Sequence, residues 1–164
     1  LHAAGAKLVI ADVNDEAVRA VAERTGAKVV APGAIFDVEA DVFAPCALGG
    51  AISPETLPRI KAPIIAGGAN NQLSDPACGR ALYARGMTYA PDFVINGGGI
   101  INVAGEIRAL DRGEAYDPAW VESKVARMIE TLDEVLDRSI AEKRPTHEIA
   151  IDIAKARISA AEKR

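Results

Sequence analysis

Short apolar runs alternate along the chain with stretches whose apolar residues fall at helical spacing. Lys7 to Ala11, Lys28 to Val30, Asp41 to Ala44, Ala62 to Ala66 and Thr88 to Ala90 have the length of buried parallel strands, several with its β-branching. After the first run, Asn14 or Asp15 can cap a helix that places Val18, Val21 and Ala22 on one face, and Gly26 stops it. Pro32-Gly33 breaks the chain after the second run. A short helix is expected from about Ser53 to Ile60. Asp75-Pro76 opens another, with Asp as cap and Pro at the first helical position, and Gly86 closes it. Gly97-Gly98-Gly99 precedes an apolar helix beginning at Ile100. Asp117-Pro118 starts a long helix, about 25 residues or roughly 38 Å. Its apolar stripe is Val121, Val125, Ile129, Leu132, Leu136 and Ile140. That length suits packing on the sheet and equally a crossing to another domain or subunit. Pro145 breaks it, and Thr146 can cap a last helix carrying Ile149, Ile153 and Ile158.

Strands alternating with helices imply a parallel sheet, because parallel neighbours need crossover connections. The expected class is α/β: a Rossmann-like parallel sheet flanked by helices, with residues 1–116 as the nucleotide-binding part and 117–164 as C-terminal helices packing on it or on a neighbouring domain. Leu1 to Gly5 reads as the last turn of a helix closed by glycine. The chain is therefore expected to be part of a longer protein, truncated before the first strand and glycine-rich loop of the unit.

The unusual residues cluster by position. Asp12, Pro45-Cys46-Ala47, Gly67 to Asn71 and Asp92 to Gly99 all follow strands, and in a parallel sheet those positions share one edge. One site built from several loops is the natural inference. Taken alone, Gly67 to Gln72 is as good a tight turn as a site. Asp12 at a second strand's end can accept hydrogen bonds from ribose hydroxyls and repel a 2′-phosphate, or simply cap a helix. Asn70, Asn71 and Asn96 suit a ribose, a carboxamide or an amino group, but an amide is no general base. Asp75 and Asp92 are expected to be a helix cap and a turn former. Cys46 is expected to be a small half-buried thiol rather than a nucleophile.

Totals narrow the partners. The chain has 164 residues, 49% hydrophobic and 26% charged, enough for one domain with a real core. A net charge of −4 without a basic tract argues against nucleic acid and anionic membranes. No apolar run approaches the roughly 18 residues of a membrane span, and no signal peptide opens the sequence. Cys46, Cys78, His2 and His147 are too scattered for a disulfide framework or a metal site. The expected setting is reducing and cytoplasmic. Acid–base pairs, triads and metal clusters are not evident, so the chain reads as a cofactor platform without catalytic groups.

The order and spacing of Asp12, Ala44-Pro45-Cys46-Ala47-Leu48-Gly49, Ala69-Asn70-Asn71-Gln72, Tyr89-Ala90-Pro91-Asp92 and Ile95-Asn96-Gly97-Gly98-Gly99 resemble the C-terminal, NAD-binding domain of the Glu/Leu/Phe/Val dehydrogenases. Within that family the leucine, valine and phenylalanine enzymes look most similar, and the resemblance covers essentially the whole chain. It implies that Asp12 holds the adenosine ribose, that Cys46 and Ala47 line the cofactor groove, and that Asn70 bridges the nicotinamide ribose and the substrate amino group. It also implies that Asn96 faces the nicotinamide, and that Ile100 and Val103 line the pocket for an apolar side chain. A buried carboxylate would be costly beside that pair. The implied reaction is NAD-dependent oxidative deamination of an apolar L-amino acid to a 2-oxo acid and ammonia. Its catalytic residues are expected on an N-terminal domain, and the full-length protein is expected to be a homo-oligomer. Gly97 departs from the alanine often found in related enzymes. A non-catalytic nucleotide-binding module and a glutamate dehydrogenase relative are the alternatives.

Overall fold

In a computed structural model that describes residues 1–162, five two-residue strands alternate with helices. Strands β1 (Val9–Ile10) and β2 (Lys28–Val29) flank helix α1 (Asp15–Thr25). Strands β3 (Val42–Phe43), β4 (Ile64–Ile65) and β5 (Thr88–Tyr89) follow, with helix α2 (Pro76–Ala84) between the last two. Four helices complete the chain: α3 (Asp92–Ile95), α4 (Gly98–Arg112), α5 (Pro118–Glu142) and α6 (Thr146–Ala161). All pairing is parallel, with Val9 opposite Lys28, Val42 opposite Ile64, and Ile64 opposite Thr88. The strands form two sheets, β1-β2 and β3-β4-β5, so β1 and β3 each keep an edge without a ladder partner among the described residues.

Local chemistry sets the helix ends. The Asn14 side chain accepts the Ala17 N–H at 3.0 Å, and Gly26 closes α1 at φ 67°. The Asp75 carboxylate accepts the Ala77 N–H at 2.6 Å, with Pro76 at the first helical position. The helix expected from Ser53 to Ile60 shrinks to a single 3-10 turn, Leu57–Arg59. Pro58 has no N–H to donate back to Pro54, so an α-helical ladder cannot run through it. The segment is tied instead by Thr56, whose hydroxyl donates to the Ala51 carbonyl at 2.6 Å.

The main core lies between β3-β4-β5 and α2, built from Ile52, Leu57, Ile60, Ala62, Ile65, Cys78, Leu82, Met87 and Tyr89. A second cluster, Val135, Ile149, Ala150 and Ile153, joins α5 to α6. Helix α6 is anchored to the sheet by Thr146, whose hydroxyl donates to the Tyr89 carbonyl at 2.6 Å. Thr146 is therefore not the helix cap expected of it; Pro145 occupies the cap position without a side-chain bond.

Two helix faces differ from the periodicity. Helix α5 has the expected 25 residues, but its inward face runs through Met128, Leu132, Val135 and Ser139. Ile129 and Ile140 of the expected stripe are 63% and 77% exposed, as is Ile158 of α6 at 60%. The small Ser139 wins a buried position because its hydroxyl donates to the Arg144 carbonyl at 2.5 Å and closes the turn into α6. Helix α4 shows solvent a continuous stripe of Ile100, Val103, Ile107 and Leu110.

Candidate functional site

The loops after β3 and β4 lock together at atomic contact. Gly67 packs so tightly on the Pro45 backbone that a Cβ there would overlap it. The Ala69 N–H donates to the Pro45 carbonyl at 2.9 Å, and the Gly68 N–H points to the Cys46 sulfur at 3.4 Å. A Cβ at Gly49 would lie 2.9 Å from the Asn70 carbonyl oxygen. The Gly50 N–H donates to the Asn71 carbonyl at 2.7 Å. Glycine is required at 49 and 67 because two backbones cross there.

The segment Gly67 to Gln72 is a turn with its own internal staple. The Gln72 side chain is fully buried, and its Nε2 donates to the carbonyls of Gly67 at 2.6 Å and Ala69 at 3.0 Å. Asn71 takes a left-handed conformation, φ 52°. Its N–H donates to Asp92 Oδ2 at 2.7 Å, and Asp92 Oδ1 accepts the Tyr89 hydroxyl at 2.6 Å. Burial, reinforced by the Asp92 hydrogen bond, holds the Tyr89 hydroxyl far above the usual phenol range, so it stays a donor. Asp92 is thus more than the turn former expected: it opens α3, is 7% exposed, and has both oxygens engaged.

Above this network the two candidate amides meet. Asn96 Nδ2 donates to Asn70 Oδ1 at 2.5 Å. The pair leaves the Asn70 amino group and the Asn96 carbonyl oxygen for other partners. Asn96 directly precedes Gly97, the N-cap of α4, so the unbonded N–H groups of that helix start beside it. A Cβ at Gly97 would meet the Met128 sulfur at 3.6 Å, an ordinary contact, so alanine fits there. Ile100 and Val103 lie on the first turns of α4, 70% and 45% exposed.

Cys46 and Ala47 are exposed on the interlocked loops. The half-buried thiol expected at Cys46 is corrected: Pro45 takes the buried position, and crossing under Gly67 turns the next residue outward. Asp12 stands on the other sheet, exposed at the end of β1, where Oδ1 accepts the Asn14 N–H at 2.8 Å. The structure therefore brings Cys46, Ala47, Asn70 and Asn96 onto joined loops, and leaves Asp12 on a separate support. Gln72, Tyr89 and Asp92 stand in the sequence motifs, but their role as buried supports of the loops was not read from them. The Tyr89-to-Asp92 spacing at a strand end was their one available signal. No group of three or more His, Cys, Asp or Glu suited to a metal occurs among the described residues.

Fold and loops define a Rossmann-like α/β protein with its candidate site at the carboxyl ends of the strands. Within that class the chain belongs to the glutamate/leucine/phenylalanine/valine dehydrogenase family, whose profile matches residues 6–164. It is 42% identical to leucine dehydrogenase of Geobacillus stearothermophilus over 158 residues, 96% of this chain and 41% of that protein. It is 38% identical to valine dehydrogenase of Streptomyces albus, over 100% of this chain and 44% of that protein. The crystal structure of L-tryptophan dehydrogenase from Nostoc punctiforme superposes with a TM-score of 0.91 at 34% identity, covering 100% of this chain and 48% of that one. The chain thus spans less than half the length of these relatives.

Proposed function

We propose that the protein is an NAD-dependent dehydrogenase of apolar L-amino acids, of leucine or valine type, and that this chain is its cofactor-holding part. The observation that carries the reading is the Asn70–Asn96 pair, joined at 2.5 Å on loops that glycines bring into backbone contact. Relatives acting by name on leucine, valine and tryptophan support the amino-acid class.

The residues fit a dinucleotide. Among the described residues Asp12 keeps one carboxylate oxygen clear of protein donors, which suits ribose hydroxyls and disfavours a 2′-phosphate. The exposed loop surface at Cys46, Ala47 and Gly68 lets a ligand approach backbone directly. NAD, when bound, supplies the hydride acceptor. Asn70 would then offer its amino group to the ribose and substrate, and Asn96 its carbonyl to the nicotinamide side. Neither amide can move a proton near neutral pH, and Asp92 beneath them has no free oxygen. Proton transfer therefore falls to groups outside these loops. Ile100 and Val103 present an apolar wall, against which an unpaired substrate carboxylate would be poorly placed.

The test is NAD reduction by the full-length protein with leucine, valine, phenylalanine and glutamate in parallel. The expected order puts leucine or valine first, with NADP a weak substitute for NAD. A preference for glutamate would overturn the role of Val103. The 164-residue chain alone is expected to turn over none of them.

A further inference from the structure

We propose that Asp92 is a positioning residue, whose buried carboxylate sets the backbone of Asn71 and thereby aims the Asn70 amide at Asn96. The inference rests on the dehydrogenase reading for its kinetic consequence, but its geometric content stands on the structure.

Asn70 itself is exposed, and its side chain is held by Asn96 alone among the described residues. Its direction is therefore inherited from the backbone on either side. On one side Ala69 is fixed by Pro45 and Gln72. On the other, Asn71 sits at φ 52°, a left-handed conformation that asparagine tolerates better than most residues and that a hydrogen bond to its N–H fixes here. The partner is Asp92 Oδ2, 2.7 Å from the Asn71 nitrogen, on a residue that is itself 7% exposed. The carboxylate is itself oriented: Tyr89 donates to its other oxygen at 2.6 Å, and the Tyr89 backbone carbonyl accepts the Thr146 hydroxyl. Hydrogen bonds thus tie the start of α6 to the Tyr89 backbone, and the Tyr89 side chain to Asp92 and so to the residue after Asn70. Asp92 also begins α3, at whose C-terminus Asn96 stands. One residue therefore touches the backbone of both members' neighbourhoods: its carboxylate holds Asn71, and its backbone carbonyl accepts the Asn96 N–H at 2.9 Å.

The test compares the full-length protein with Asp92→Ala, Asp92→Asn and Tyr89→Phe. Two quantities are read: kcat at saturating amino acid and NAD, and hydrogen–deuterium exchange at the Asn71 amide. Asp92→Ala is expected to lower kcat per folded subunit at least tenfold and to deprotect Asn71 while the melting transition stays cooperative. Asp92→Asn retains an oxygen for the Asn71 N–H and is expected to restore much of both. Tyr89→Phe is expected to fall between wild type and Asp92→Ala. Wild-type kcat in folded Asp92→Ala, or unchanged Asn71 protection, would overturn the proposal. If Asp92→Ala does not fold, wild-type values in both Asp92→Asn and Tyr89→Phe overturn it, and graded losses support it. A wild-type protein that oxidises no amino acid refutes the dehydrogenase reading instead, and the Asn71 exchange still decides the positioning claim.

Discussion

At the scale of single residues, two glycines carry sharp expectations. Gly67→Ala would drive a methyl into the Pro45 backbone, which neither loop can yield cheaply. A loss of about 1–3 kcal/mol is expected from overpacking, read by denaturant melts, together with weakened NAD binding in the full-length protein. Gly79→Ala is expected to cost a similar amount, about 1–3 kcal/mol, because its methyl would strike the His147 ring. His147 gives the fold a pH dependence. It is 4% exposed, and among the described residues neither ring nitrogen meets a partner in good hydrogen-bond geometry. Burial first, with Arg80 adding to it and Glu148 and the Pro76 backbone opposing it, pushes its pKa below the ordinary histidine value. The folded state therefore prefers the neutral ring, and the unfolded chain binds the extra proton. Stability from this residue is complete above about pH 6.5, the unfolded value, and falls as pH drops towards the depressed folded pKa. Melts between pH 7.5 and 5 in wild type and His147→Leu are the measurement. A wild-type curve parallel to the variant's would refute the assignment.

At the scale of elements, the caps behave as their chemistry dictates. Asn14→Ala should remove about 1 kcal/mol by leaving the Ala17 N–H unpaired, which thermal denaturation can read. The same elements show what periodicity can and cannot reveal. Asn14, Gly26 and Asp75-Pro76 were legible because capping is a local matter of a side chain and an N–H a few residues on. The strand ends were legible as one edge because parallel pairing aligns them. The inward face of α5 was not, since it is chosen by α3, α4 and α6 together, and they take Ser139 while leaving Ile140 outside. Asp92 was misjudged for a related reason. A strand-end aspartate looks the same in sequence whether it faces water or a buried tyrosine and the N–H of a left-handed asparagine. Asn70 and Asn96, 26 residues apart, could be placed on one edge but not at bonding distance.

At the scale of the molecule, the unit of β1, α1 and β2 has little to hold it. Within residues 1–40, Val18 alone is buried, and neither apolar cluster draws on this segment's buried residues. Local opening should therefore be easiest there. Hydrogen exchange is expected to be markedly faster across Leu8 to Val30 than across Ile60 to Ala90; equal protection would contradict the two-sheet division. Asp12, which stands on the weaker unit, would gain protection when a dinucleotide binds. The unpaired edges of β1 and β3 also favour self-association at high concentration.

The outward stripes of α4 and α5 bear on how this chain behaves in a fluorescence cuvette. Ile100, Val103, Ile107 and Leu110 on one helix, and Ile129 and Ile140 on another, offer an anilinonaphthalene sulfonate dye apolar surface while the core stays closed. Dye binding is commonly taken as the mark of a molten state. Here the native chain should brighten the dye and still show the near-ultraviolet dichroism of Trp120, which Arg108 and Lys124 hold at 5.4 and 5.3 Å from its ring. A bright dye signal from this protein would report a well-packed helix with an apolar side facing water.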